Sequence, residues 1–191
     1  MRQLRTFAVA ATSAVLLMSQ AVAAFACAQH QTEVSVTDPA RSATAKYYSL
    51  TVAKKAGYSI LADAAGITCI AEPQMGAMGV HYVKGDLVKD PAIDARHPEA
   101  LVYAPDRRGG LHLAALEYVV IKSDWDAKHP RPPSLRVAPA PPMLFGQEFN
   151  VTDAPNRYGL PPFYSLHAWI WKDNPAGTFA MWNPSVHCDE I

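Results

Sequence analysis

Excess charge of either sign is missing from this chain, in which 17 lysines and arginines balance 17 aspartates and glutamates over 191 residues. Without a basic field there is no electrostatic footprint for nucleic acid or anionic lipid, and neither is expected as a partner. Familiar catalytic signatures are missing too. No G-x-S-x-G elbow, H-E-x-x-H helix, Walker loop or G-x-G-x-x-G turn occurs, which removes the usual support for serine-hydrolase, zincin and nucleotide-binding chemistry. No motif repeats at a fixed period, and that argues against a solenoid or propeller. Cysteine is scarce: three residues, none in a C-x-x-C pair, so a close-spaced thiolate site is not indicated. What is present is a chain 50% hydrophobic and 18% charged. That is enough apolar material for a core and too little charge for disorder, which points to one domain behind a removable leader.

Residues 1–28 have the order of a secretory signal peptide: Arg2 and Arg5, an apolar run from Phe7 to Met18, then small residues to Ala28. The apolar run is shorter than the roughly 20 residues a spanning helix needs, so no transmembrane span is expected in the mature chain. Cleavage after Ala28 discards Cys27, whereas cleavage just before Cys27 leaves it as a lipid anchor. The Ala24-Phe25-Ala26 approach lacks the upstream leucine usual in bacterial lipoproteins, which disfavours the anchor. A periplasmic or secreted location is the expectation. There Cys69 and Cys188 form an even pair in an oxidising space and read as a disulfide, with a thiolate ligand or nucleophile as the rival.

Asp38 before Pro39 is a good N-cap with proline in the first helical position. Residues 29–38 therefore read as a flexible N-terminus, followed by a helix to about Ala56 that Gly57 ends. Tyr47, Tyr48 and Leu50 are its expected buried stripe. Cys69 lies in a short apolar run, period-two alternation predicts a strand over Met78–Lys84, Leu101–Ala104 reads as a short strand, and after a PDRRGG turn the return strand runs over Leu111–Lys122. Six prolines mark 130–142 as an extended connector. A short strand within Met143–Phe149 and a strand over Phe163–Trp171 close the chain. The last is apolar on both faces and belongs inside a sheet. The whole predicts an α+β domain over residues 39–191, an N-terminal helix packed on a curved, mainly antiparallel sheet, with a small β-barrel as the alternative.

The segments GAMGVHYV, YAPDRRGGLHLAALEYVV, PPMLFGQEF, RYGLPPFYSLHAWIWKDNPAG and FAMWNPSVHC together resemble a family of small exported bacterial proteins of unestablished function. The likeness runs from about Ala40 to Cys188. It implies an exported single domain and carries over no activity, cofactor or catalytic residue.

Chemistry must therefore come from the residues. His81, Glu117 and His167 are polar exceptions on otherwise apolar strands, and two histidines with one carboxylate are a recognised ligand set for zinc or non-haem iron. Met75, Met78 and His81 have the donor types of a Cu(I) site, but two methionines filling core gaps are the favoured reading. His112 is a fourth ligand candidate. Trp169, Trp171 and Trp182 are either core residues or platforms for a sugar. Three functions stay open: an envelope protein binding a metal ion or small polar ligand in a His/Glu pocket, a metal-dependent enzyme using that pocket, and an inert structural or interaction module.

Overall fold

The computed structural model describes residues 36–132, 134 and 137–189. The expected signal peptide, its cleavage site, Cys27 and residues 29–35 lie outside the described residues. Thr37–Ile191 is one compact unit.

Helix α1 covers residues 36–44, so Asp38 lies inside the helix and does not cap it. The single helix expected to reach Ala56 is interrupted. A 3-10 turn, Ala45–Tyr48, leads to an extended Ser49 (φ −83°, ψ 107°) before α2, Leu50–Lys55. The break leaves the Tyr47 carbonyl free, and the buried Tyr103 hydroxyl donates to it at 2.6 Å. Tertiary packing here overrides a weak run of helix formers. Ala40, Thr44, Tyr47 and Ala53 are buried, whereas Tyr48 is exposed and Leu50 half-buried. Gly57 does end α2, with φ 95°.

The strands are β1 (Ser59–Ile60), β2 (Cys69–Glu72), β3 (Gly76–Val83), β4 (Ala100–Pro105), β5 (Leu111–Ile121), β6 (Met143–Leu144), β7 (Gln147–Glu148), β8 (Asn150–Thr152) and β9 (Phe163–Ala168). Seven make one antiparallel sheet in the order β1-β3-β4-β5-β9-β8, with β2 also on β3, and β6 and β7 form a separate hairpin. The α+β class holds, and the sheet does not close into a barrel. Short helices α3 (Gly85–Val88) and α4 (Lys122–Lys128) were not expected. No helix among the described residues is long and apolar enough to cross a membrane.

The two faces of the sheet differ in kind. One packs Val80, Tyr82, Leu101, Tyr103, Leu116, Tyr118, Tyr164 and Leu166 against Tyr47 and Ala53 from the helical segment. Each large side chain buried there contributes roughly 1.5–3 kcal/mol. The other face carries small residues, Ala77, Val102, Ala104, Ala114 and Ala115, with Trp169 and Val186. Simple alternation along β5 places Leu113 with Ala115 and Glu117, and that assignment is wrong. Val102 pairs with Ala115 but Tyr103 with Leu113, so Ala114 is the extra residue of a bulge and Leu113 turns to the helix side. The Ala114 carbonyl accepts from both Trp171 and Lys172 at 3.1 Å, which is one reason β9 stops at Ala168 and not at Trp171.

The C-terminal segment is tied back twice. Asn183 exchanges backbone hydrogen bonds with Ala77 at 3.0 and 3.2 Å, and Cys69 is bonded to Cys188 with Cα atoms 5.6 Å apart. That disulfide closes a separation of 119 residues. The chain-entropy ceiling for so long a loop is about 5 kcal/mol.

Candidate metal centre

Gly79 sets the aim of the first ligand candidate. The β2–β3 register slips between Ile70 opposite Gly79 and Ala71 opposite Ala77, and Gly79 takes φ 102°. A Cβ there would sit 2.7 Å from the Tyr103 carbonyl oxygen, so only glycine fits this approach. Past it, His81 pairs with Val102, Ala100 with Glu117 and Glu117 with His167. Paired residues share a face, so all three polar exceptions project from the small-residue side. The backbones of β3 and β9 stand three strand spacings apart, ~14 Å on a flat sheet. Nevertheless His81 Nε2 lies 3.3 Å from His167 Nε2, which requires the sheet to curl toward this face over the short side chains of Ala100, Val102 and Ala115.

His81 Nε2 is also 3.3 Å from Glu117 Oε2, and His167 Nδ1 is 3.7 Å from Glu117 Oε1. One ligand atom from each residue lies within 4.8 Å of the others, so the group can hold a metal ion. Metal–ligand bonds of about 2.0–2.1 Å at tetrahedral angles place neighbouring ligand atoms ~3.3–3.4 Å apart, which is the spacing of the two closest pairs.

Burial pushes both imidazoles down to about 4, against the opposing pull of Glu117 on His81. Both rings are therefore neutral at pH 7 and have a lone pair to give. Burial raises the Glu117 carboxyl, partly offset by His81 and by a hydrogen bond donated from the Ser165 hydroxyl. A bound cation reverses that balance and favours the carboxylate. His81 Nδ1 is buried without a hydrogen-bond partner among the described residues. The Gly79 backbone is a polar contact of this ring, and Nε2, not Nδ1, is the nitrogen that faces His167 and Glu117.

The other candidates go elsewhere. His112 pairs with Asp106 at 2.6 Å on the exposed β4–β5 hairpin and does not join the three. Met75 is exposed, while Met78 is buried. Trp169 is buried and donates to the Ala180 carbonyl at 2.7 Å. Trp171 lies under the Arg41 guanidinium at 4.7 Å and donates to Thr44 Oγ1 at 3.1 Å. Neither is an open sugar platform.

Sequence reasoning missed three features. The Glu99 side chain is buried and accepts from Val119 N at 3.0 Å, beyond the last β4–β5 pair, and burial pushes its carboxyl up to about 8. Glu99 precedes its strand and breaks no alternation, so no pattern flagged it. Ser165 shares the face of His167 and hydrogen-bonds Glu117, a contact that strand pairing alone creates. The third is a cavity of 570 Å³ beside Glu117, lined by Leu61, Val83, Val119, Ile121, Leu160 and Phe163 together with Tyr158. Next to Tyr158, the exposed Arg157 donates to Asp63 Oδ2 from Nε (3.1 Å) and Nη2 (2.8 Å) while its carbonyl accepts from Ala64 N at 2.9 Å. No family model, curated protein or solved structure matches this chain.

Proposed function

We propose that this chain is an exported cell-envelope protein that binds a divalent transition-metal ion through His81, Glu117 and His167. The observation that carries the reading is the meeting of three polar side chains, from β3, β5 and β9, at one buried point. Two neutral imidazoles and a carboxylate suit zinc, iron(II) or copper(II) and are a poor match for calcium or magnesium, which prefer oxygen. Export is supported by the order of charge, apolar run and small residues in 1–28, by a disulfide of the kind that persists in oxidising compartments, and by the resemblance to exported bacterial proteins.

Metal analysis of untagged protein, followed by zinc titration of the apo form, tests the metal reading. The expected result is one equivalent of metal, with retention lost in His81→Ala and His167→Ala. Wild-type protein that takes up no metal, or the same metal content in all variants, would leave an inert polar core. Intact mass of protein from the envelope tests export. A mature chain starting between Ala24 and Gln29 is expected, and one starting at Met1 overturns it.

A further inference from the structure

Among the three ligand candidates only Glu117 is appreciably exposed, its side chain at 13% against 3% and 2% for the histidines. That exposure opens into the 570 Å³ cavity, which Glu117 lines and neither histidine does. The cavity therefore gives an ion, and any further ligand on it, an approach to the Glu117 side of the centre. A divalent ion held by two neutral imidazoles and one carboxylate keeps one uncompensated positive charge. In an apolar surround that charge is costly, and an anionic ligand on the remaining coordination position removes the cost. The walls, Leu61, Val83, Val119, Ile121, Leu160 and Phe163, give a polar tail nothing to bond. Among the described residues, polar lining is otherwise confined to the half-buried Tyr158 and the exposed Lys89, Ser123 and Asp124 at the mouth. Burial and the Glu117 charge keep the Tyr158 phenol protonated, so it remains a donor. The volume lies in the range of small-molecule sites, roughly 300–1,000 Å³.

We infer that this cavity is the ligand chamber of the metal centre and takes an apolar monocarboxylate, its carboxylate on the ion beside Glu117 and its hydrocarbon tail along the walls. This rests on the metal reading above.

The test uses mature protein loaded with cobalt(II), whose visible spectrum reports a change of ligand, titrated with acetate, butanoate, hexanoate and octanoate. The expected result is a spectral change with affinity rising roughly fourfold per added methylene until the tail fills the cavity. Leu160→Trp, or Val88→Trp at another lining position, on α3, is expected to weaken octanoate by about tenfold or more while leaving cobalt affinity unchanged. Acetate binding as tightly as octanoate overturns the chamber and leaves a bare anion site. Octanol binding as tightly as octanoate, or apo protein binding octanoate as tightly as loaded protein, overturns the metal anchor. Cobalt bound with no response to any carboxylate defeats this inference alone, whereas failure to bind cobalt or zinc removes the metal reading and this inference with it.

Discussion

Glu99→Gln separates a buried carboxyl from the rest of the fold. Glu99 is 2% exposed, and burial pushes its carboxyl up from 4.5 to about 8. A carboxyl raised on folding contributes stability that is intact below pH 4.5 and is lost as pH rises from 4.5 to 8, because the unfolded chain gives up its proton first. At 1.36 kcal/mol per pH unit, that difference is worth about 3 kcal/mol at pH 7 and ~5 kcal/mol above pH 8. Against a typical domain stability of roughly 5–15 kcal/mol, the loss is large enough to measure. The amide that Glu99→Gln introduces is never charged, and its oxygen still accepts the Val119 N–H. Urea denaturation from pH 4.5 to 8.5 is expected to show the variant gaining on the wild type as pH rises, with curves converging near pH 5. Parallel curves across the range would refute the reasoning and place the Glu99 carboxyl back in the ordinary range.

Glu117→Gln is expected to preserve the fold and weaken zinc retention by about tenfold or more, measured by competition with a chelator. In the apo protein His81 and His167 are held down to about 4. A depressed histidine makes the unfolded state bind more protons, so stability falls as pH drops from 6.5 to 4, by up to ~3 kcal/mol for each ring. Denaturation of His167→Gln apo protein is expected to show a shallower acid limb, and an unchanged limb counts against neutral buried rings. Gly79→Ala forces a Cβ to 2.7 Å from a carbonyl at positive φ and is expected to cost several kcal/mol, with loss of metal as His81 is displaced. Replacing Cys69 and Cys188 together by serine is expected to lower stability by about 2–5 kcal/mol, checked by the denaturation midpoint.

Much of the site was legible because a period-two pattern shows which side chain departs from its face. His81, Glu117 and His167 could each be named that way, and the cysteine count named the disulfide. Alternation carries no information about which strands are neighbours. That β9 lies against β5, putting His167 directly opposite Glu117, depends on long-range pairing that no local residue encodes. Nor does alternation register one inserted residue. The bulge at Ala114 turns Leu113 to the helix side, while Glu117 keeps the face that alternation from Ala115 assigns it. The break at Ser49 is likewise hidden in a helix-forming stretch, because it answers to the Tyr103 hydroxyl, which bonds a carbonyl 56 residues away. Glu99 and the cavity leave no trace in the sequence at all. Composition and periodicity determined the elements, their faces and the polar exceptions. Packing alone decided that the sheet curls over small side chains, that two imidazoles from strands three spacings apart meet, and that the cavity beside them is apolar.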